Sequence, residues 1–139
     1  QHADCQAAIF YDPIKHLLAN VHSGWRGSVQ NIYKKVVELF IAKGSKAEDL
    51  LVCISPSLGP KAAEFIHFKK ELTPFFYDFR VEGNCFDFWE ASKEQLKQAG
   101  VLPGHIQVAE VCTHTNVKDY FSYRKEKVTG RLATVAALH

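Results

Sequence analysis

Two short apolar runs near the start of the chain constrain the fold most. Ala7-Ala8-Ile9-Phe10-Tyr11 and Leu17-Leu18-Ala19-Asn20-Val21-His22 are separated by an Asp12-Pro13 turn signal. Continuous apolar runs of this length, bounded by turn residues, predict strands. Two such runs joined by a short turn predict a hairpin. Directly afterwards comes Ser23-Gly24-Trp25-Arg26-Gly27, and the period then changes. Val29, Ile32, Tyr33, Val36, Val37 and Phe40 fall on one face of a helix. Ser23 or Ser28 is the expected N-cap, and Gly44 the stop.

Further along, Leu50 to Ile54 reads as a third strand and Ile106 to Val111 as another. Lys69 to Phe76 and Phe88 to Ala99 read as helices, the second ended by Gly100. Leu132 to Leu138 reads as a last strand or a short helix. The sum is an α/β or α+β chain: a mixed sheet with helices packed against it. Its 139 residues suit a single domain, and 47% apolar with 23% charged residues suits a globular one. A net charge of +2 gives no electrostatic case for a nucleic-acid partner. No apolar run reaches the roughly 18 residues of a membrane span. Cys5, Cys53, Cys85 and Cys112 are scattered, which predicts buried reduced thiols and a cytoplasmic protein. The absence of methionine predicts that the chain is the later part of a longer one.

The hairpin has a chemical consequence. It brings the start of its first strand beside the end of its second. Cys5 and His22 can therefore meet at one rim of the sheet, or stand there as a buried thiol and an edge histidine with no shared role. A thiol beside an imidazole can become a thiolate nucleophile. The same pair can bind zinc. A catalytic zinc takes three protein ligands, and only two are placed here. His2 lies on the opposite side from Cys5 if the stretch is extended, and is a poor third ligand. His114 has nothing to place it at that rim, and His16, His67, His105 and His139 read as surface histidines. Asp4 faces away from Cys5 under strict alternation. It is a candidate for orienting His22 or a water, or for moving a proton. Within His22-Ser23-Gly24-Trp25-Arg26-Gly27, the glycines let the backbone approach a ligand. Arg26 at a helix start is disfavoured by the dipole, which points to a bound anion such as phosphate. Trp25 is a candidate floor for a flat ring. Cys112, Thr113, Tyr123, Arg124, Thr129, Gly130 and Arg131 suit either a polar pocket wall or a hydrogen-bonded structural corner.

The motifs Ala3-Asp4-Cys5, His22 to Gly27, Ser55 to Pro60 with Glu64, Cys112-Thr113, and Phe121 to Lys125 with Thr129-Gly130-Arg131 occur in this order. Together they resemble the YfiH-like family, also called polyphenol oxidases or multicopper polyphenol oxidoreductases (laccase-like). Some members are called purine nucleoside phosphorylases or peptidoglycan editing factors. The resemblance implies one YfiH-like domain over 1–139 lacking its N-terminal part, with a fold related to cysteine-hydrolase toxin domains. It implies a zinc-type site of one cysteine and two histidines: Cys5, His22 and a histidine expected upstream of Gln1. It also implies phosphorolysis of adenosine, inosine, guanosine and methylthioadenosine, accompanied by adenosine deamination. Arg26 is then the candidate phosphate anchor. Competing expectations are a Cys5–His22 hydrolase or amidase acting on peptidoglycan precursors, a copper-dependent phenol oxidase, and a binding module with a structural metal.

Overall fold

The computed structural model describes residues 1–139. The predicted hairpin is present as β1 (Gln6–Asp12) and β2 (Leu17–Ser23), paired antiparallel with Ala7 opposite His22. β1 also pairs antiparallel with β3 (Leu51–Ile54), and β3 pairs in parallel with β4 (Ile106–Val108). The sheet is mixed and four-stranded, in the order β2-β1-β3-β4. β4 is shorter than its apolar run, which leaves strand geometry after Val108, two residues before the positive φ of Glu110.

The helices follow the sequence with one break. The expected single helix is divided into α1 (Trp25–Val29) and α2 (Ile32–Ala42). Asn31, at φ 51°, turns the chain between them, and its side chain accepts from the Lys34 amide. Asn31, and neither Ser23 nor Ser28, is therefore the side-chain cap of α2. Asparagine tolerates the left-handed conformation and caps well, so it divides a periodic run that glycine or proline does not mark. The expected helix over 69–76 is α3 (Phe68–Glu71) followed by a 3₁₀ segment, Pro74–Phe79. Pro74 lacks the amide needed to continue α3. Helix α4 (Phe88–Gln98) starts on an Asp87 cap, and Gly100 follows it at φ 99°. The tail from Leu132 is neither strand nor helix; its one ladder contact pairs Leu132 with His2.

α2 and α4 cover one sheet face. Tyr33, Val36, Val37 and Phe40 of α2 and Leu96 of α4 pack on Ala8, Phe10, Val52 and Ile54. The opposite face carries Ile9, Tyr11, Leu51 and Cys53, the last two exposed. All four thiols are free, but Cys53 is exposed and the others half-buried, so the fully buried placement does not hold. A second cluster, around Phe65, Phe76, Phe86 and Phe88, supports the loops beside the end of the hairpin. No helix is long and apolar enough to cross a membrane.

A polar network locks the two layers together beneath that end. Gln6 accepts from the Tyr33 and Ser92 hydroxyls at 2.7 and 2.8 Å and donates to the Phe88 carbonyl at 3.1 Å. Gln6, Tyr33 and Ser92 are all buried, and each buried polar atom there has a partner. β1, α2 and α4 are thereby fixed next to Cys5.

Candidate functional site

Ala7 opposes His22, so Cys5, two residues before Ala7, lies diagonal to His22 and beside Gly24. A Cβ on Gly24 would sit 3.0 Å from the Cys5 Sγ and 3.8 Å from the His22 Nε2. Thiol and imidazole thus converge on the space that this glycine leaves open. His22 is exposed and Cys5 half-buried.

Asp4 sets the entrance of β1. Its φ of 73° breaks the extended conformation before Cys5. Alternation therefore does not apply across Asp4, and His2 is not on the far side: it lines the same cavity as Cys5 and His22. His2 is buried, with Nε2 2.9 Å from the Thr134 hydroxyl and Nδ1 without a partner. Burial holds its imidazole below the usual histidine range. The Cys5 backbone, close by but outside hydrogen-bond geometry, opposes this; His22 adds to it.

Both Asp4 carboxylate oxygens are engaged. One accepts from the Thr113 hydroxyl at 2.7 Å, the other from the Arg124 amide at 2.6 Å. The Asp4 carbonyl accepts from the Leu58 amide at 2.8 Å. One residue thereby joins the chain start to the Ser55–Pro60 loop, the Cys112–Thr113 segment and α5 (Tyr123–Glu126). Gly59 fits where it does because a Cβ there would lie 2.8 Å from the Cys112 Cβ. Its amide donates to the Cys112 Sγ at 3.2 Å, so Cys112 belongs to this loop joint.

Two cavities open at Cys5. The larger, about 390 Å³, has an apolar wall that includes Trp25, Phe65 and Phe88, and Arg124 and Lys127 as its cations. The smaller, about 310 Å³, is lined by His2, Cys5, His22, Tyr123 and Arg131 among others. Ala3, Cys5 and Tyr123 line both. Trp25 is half-buried, edge-on to Phe65 with centroids 5.8 Å apart. Arg26 is exposed, stacked over the Trp25 ring at 4.2 Å, and lines neither cavity. The pocket wall expected from the late motifs is therefore divided: Tyr123, Arg124 and Arg131 line cavities, whereas Thr113 is buried under Asp4. The sequence sets His2 aside as a ligand and gives no sign of Gln6 or Lys127. A positive φ at Asp4 hid the first, and no periodicity marks the other two.

Burial pushes the Cys5 thiol up, Asp4 adds to this, and Arg131 opposes it. A raised thiol is the wrong direction for a free thiolate nucleophile. A coordinated metal deprotonates such a thiol outright. Thiolate sulfur and neutral imidazole nitrogen are zinc donors, and Cys5 and His22 converge as a pair of them. No group of three histidine, cysteine or acidic side chains gathers to complete a catalytic set. The chain's residues fit a metal as two of its ligands.

The family model described as "Multi-copper polyphenol oxidoreductase laccase" matches residues 1–139. A purine nucleoside phosphorylase of Bacteroides thetaiotaomicron is 28% identical over 99% of this chain and 55% of its own length. The human purine nucleoside phosphorylase LACC1 is 31% identical over 89% of this chain and 31% of its own. The crystal structure of YlmD from Geobacillus stearothermophilus superposes with a TM-score of 0.74 at 27% identity, over 91% of this chain and 50% of that one. The chain spans about half the length of the bacterial relatives it matches. It belongs to the multi-copper polyphenol oxidoreductase laccase family, the YfiH-like family that its motifs resemble.

Proposed function

We propose that this chain carries the Cys–His corner and substrate walls of a zinc-dependent purine nucleoside phosphorylase that also deaminates adenosine. The convergence of Cys5 and His22 over Gly24, with Cys5 lining both cavities, carries this reading. Relatives named purine nucleoside phosphorylase support the reaction class. Cys5 and His22 hold the metal, with adenosine, inosine, guanosine and methylthioadenosine as substrates.

A bound zinc would lower the pKa of its water from about 15.7 to about 7, and so supply hydroxide at neutral pH. This chain's residues supply the rest. The Trp25 and Phe65 rings give a flat purine an apolar wall. The larger cavity's walls shield the base from water, and nearby cations face the anionic co-substrate. Asp4, with both oxygens engaged, acts as a positioning residue: it holds Cys5 and α5 in register.

The test is incubation with adenosine and phosphate, with and without zinc, followed by quantification of adenine, ribose phosphate and inosine. It is run on this chain and on a chain of the full length of its relatives. Zinc-dependent product that disappears in Cys5→Ala and in His22→Ala is expected. Activity that survives chelation but is abolished by iodoacetamide would transfer the site to a cysteine hydrolase.

A further inference from the structure

We propose that Arg131 is the anion-binding residue of this site and that the smaller cavity at Cys5 is where it takes inorganic phosphate. This rests on the phosphorylase reading and makes it specific.

Three observations carry the proposal. The first is place. Arg131 lines the cavity that holds Cys5 and His22, whereas Arg26 lines neither cavity and lies on Trp25. The second is charge. Arg124, Lys127 and Arg131 surround the two cavities, and none of them forms an ion pair with a carboxylate. Of the nearby carboxylates, Asp4 is engaged by the Thr113 hydroxyl and a backbone amide, and Glu126 by the Thr129 hydroxyl. Three cations without ion pairs at one rim leave positive charge there that an anion could pair with.

The third observation is geometry. The Arg131 Nη1 donates to the carbonyls of Thr129 and Gly130 at 3.0 and 2.8 Å, which fixes the guanidinium to its own turn. Nε and Nη2 are left without protein acceptors. Those two donors form one edge of the guanidinium fork, the edge that grips an oxyanion bidentately. The Tyr123 ring lies beside it, with the Arg131 guanidinium carbon 6.0 Å from the ring centroid and the Lys127 ammonium 5.9 Å from it. Tyr123 thus separates the two cavities with a cation near each: Lys127 in the larger and Arg131 in the smaller. A nucleoside in the larger cavity and phosphate in the smaller would meet at Cys5, which lines both.

The test is calorimetric titration of the chain with inorganic phosphate at constant ionic strength, with chloride as the control anion. Arg131→Gln should weaken phosphate binding at least about tenfold, the size of one lost charge-assisted contact. Arg131→Lys should recover part of it, because the charge remains and the fork does not. Lys34→Gln, on the exposed face of α2, is the control for general loss of charge. Thermal melts of each variant check that the fold is retained. No phosphate binding by the unaltered chain, or equal affinity in Arg131→Gln, overturns the proposal. So does a loss confined to Arg26→Gln. Phosphate binding that needs Arg131 without any nucleoside cleavage would remove the phosphorylase reading and leave the anion site standing. Cleavage with an unchanged phosphate KM in Arg131→Gln would do the reverse.

Discussion

The helix-covered sheet and the rim at Cys5 are held together by different forces. Beneath α2 and α4, Phe10, Tyr33, Leu50, Val52 and Leu96 are buried, and stability comes from apolar area removed from water. At the rim, a start segment, the Ser55–Pro60 loop, the Cys112–Thr113 segment and α5 meet through the Asp4 carboxylate and carbonyl, beside a partly exposed cavity lined by His2, His22 and Arg131. The first region tolerates change in proportion to the volume lost. The second depends on a few directional bonds that hold Cys5 and its neighbours in place.

The largest effect should come from the core. Phe10→Ala removes a fully buried ring that packs on Tyr33 and Phe40, and should cost about 3–5 kcal/mol. Urea unfolding should show the loss as a lower midpoint with the slope unchanged. Asp4→Ala comes next. It leaves the Thr113 hydroxyl and the Arg124 amide without their acceptor and should cost about 1–3 kcal/mol. Unlike Phe10→Ala, it should also change the rate of Cys5 alkylation in the folded protein, read by mass spectrometry after brief iodoacetamide treatment. An unchanged rate would mean that the clamp does not hold the thiol in place.

Gly24→Ala sharpens the comparison, because it should separate the two regions. The new methyl group would sit 3.0 Å from the Cys5 Sγ and displace it. Stability should fall by only about 1 kcal/mol, while metal affinity should fall roughly 10–100-fold. The smallest effect concerns pH. Burial holds the His2 imidazole below its usual range, so the unfolded chain takes up that proton more readily. Stability from this source is present above about pH 6.5 and is lost as pH falls towards the folded value. Urea midpoints of the unaltered chain should decline across that window, and those of His2→Gln should decline less.

The hairpin and its site pair were legible because both follow from local pattern. Two apolar runs and a turn set the register, and register alone places Cys5 near His22. The helix after it was legible in its apolar face but not in its division, since Asn31 carries no periodic signal. The His2 position was misread for a related reason: one residue at positive φ cancels the alternation that sequence inspection relies on. The proposed anion site was the least legible part. Arg26 stands out in sequence because it opposes a helix dipole; the structure stacks it on Trp25, outside both cavities. Arg131 gives no such signal and acquires meaning only when a distant turn folds back onto the hairpin.

The central claim is that Cys5 and His22 act as one metal corner. Titration with cobalt(II), followed by absorption, reads it directly, because a thiolate ligand gives a charge-transfer band that imidazole alone does not. The account predicts a band that is lost in Cys5→Ala, is weakened or shifted in His22→Ala, and is unaffected in Cys53→Ala. A band that persists in Cys5→Ala, or that depends on Cys112 instead, would contradict it.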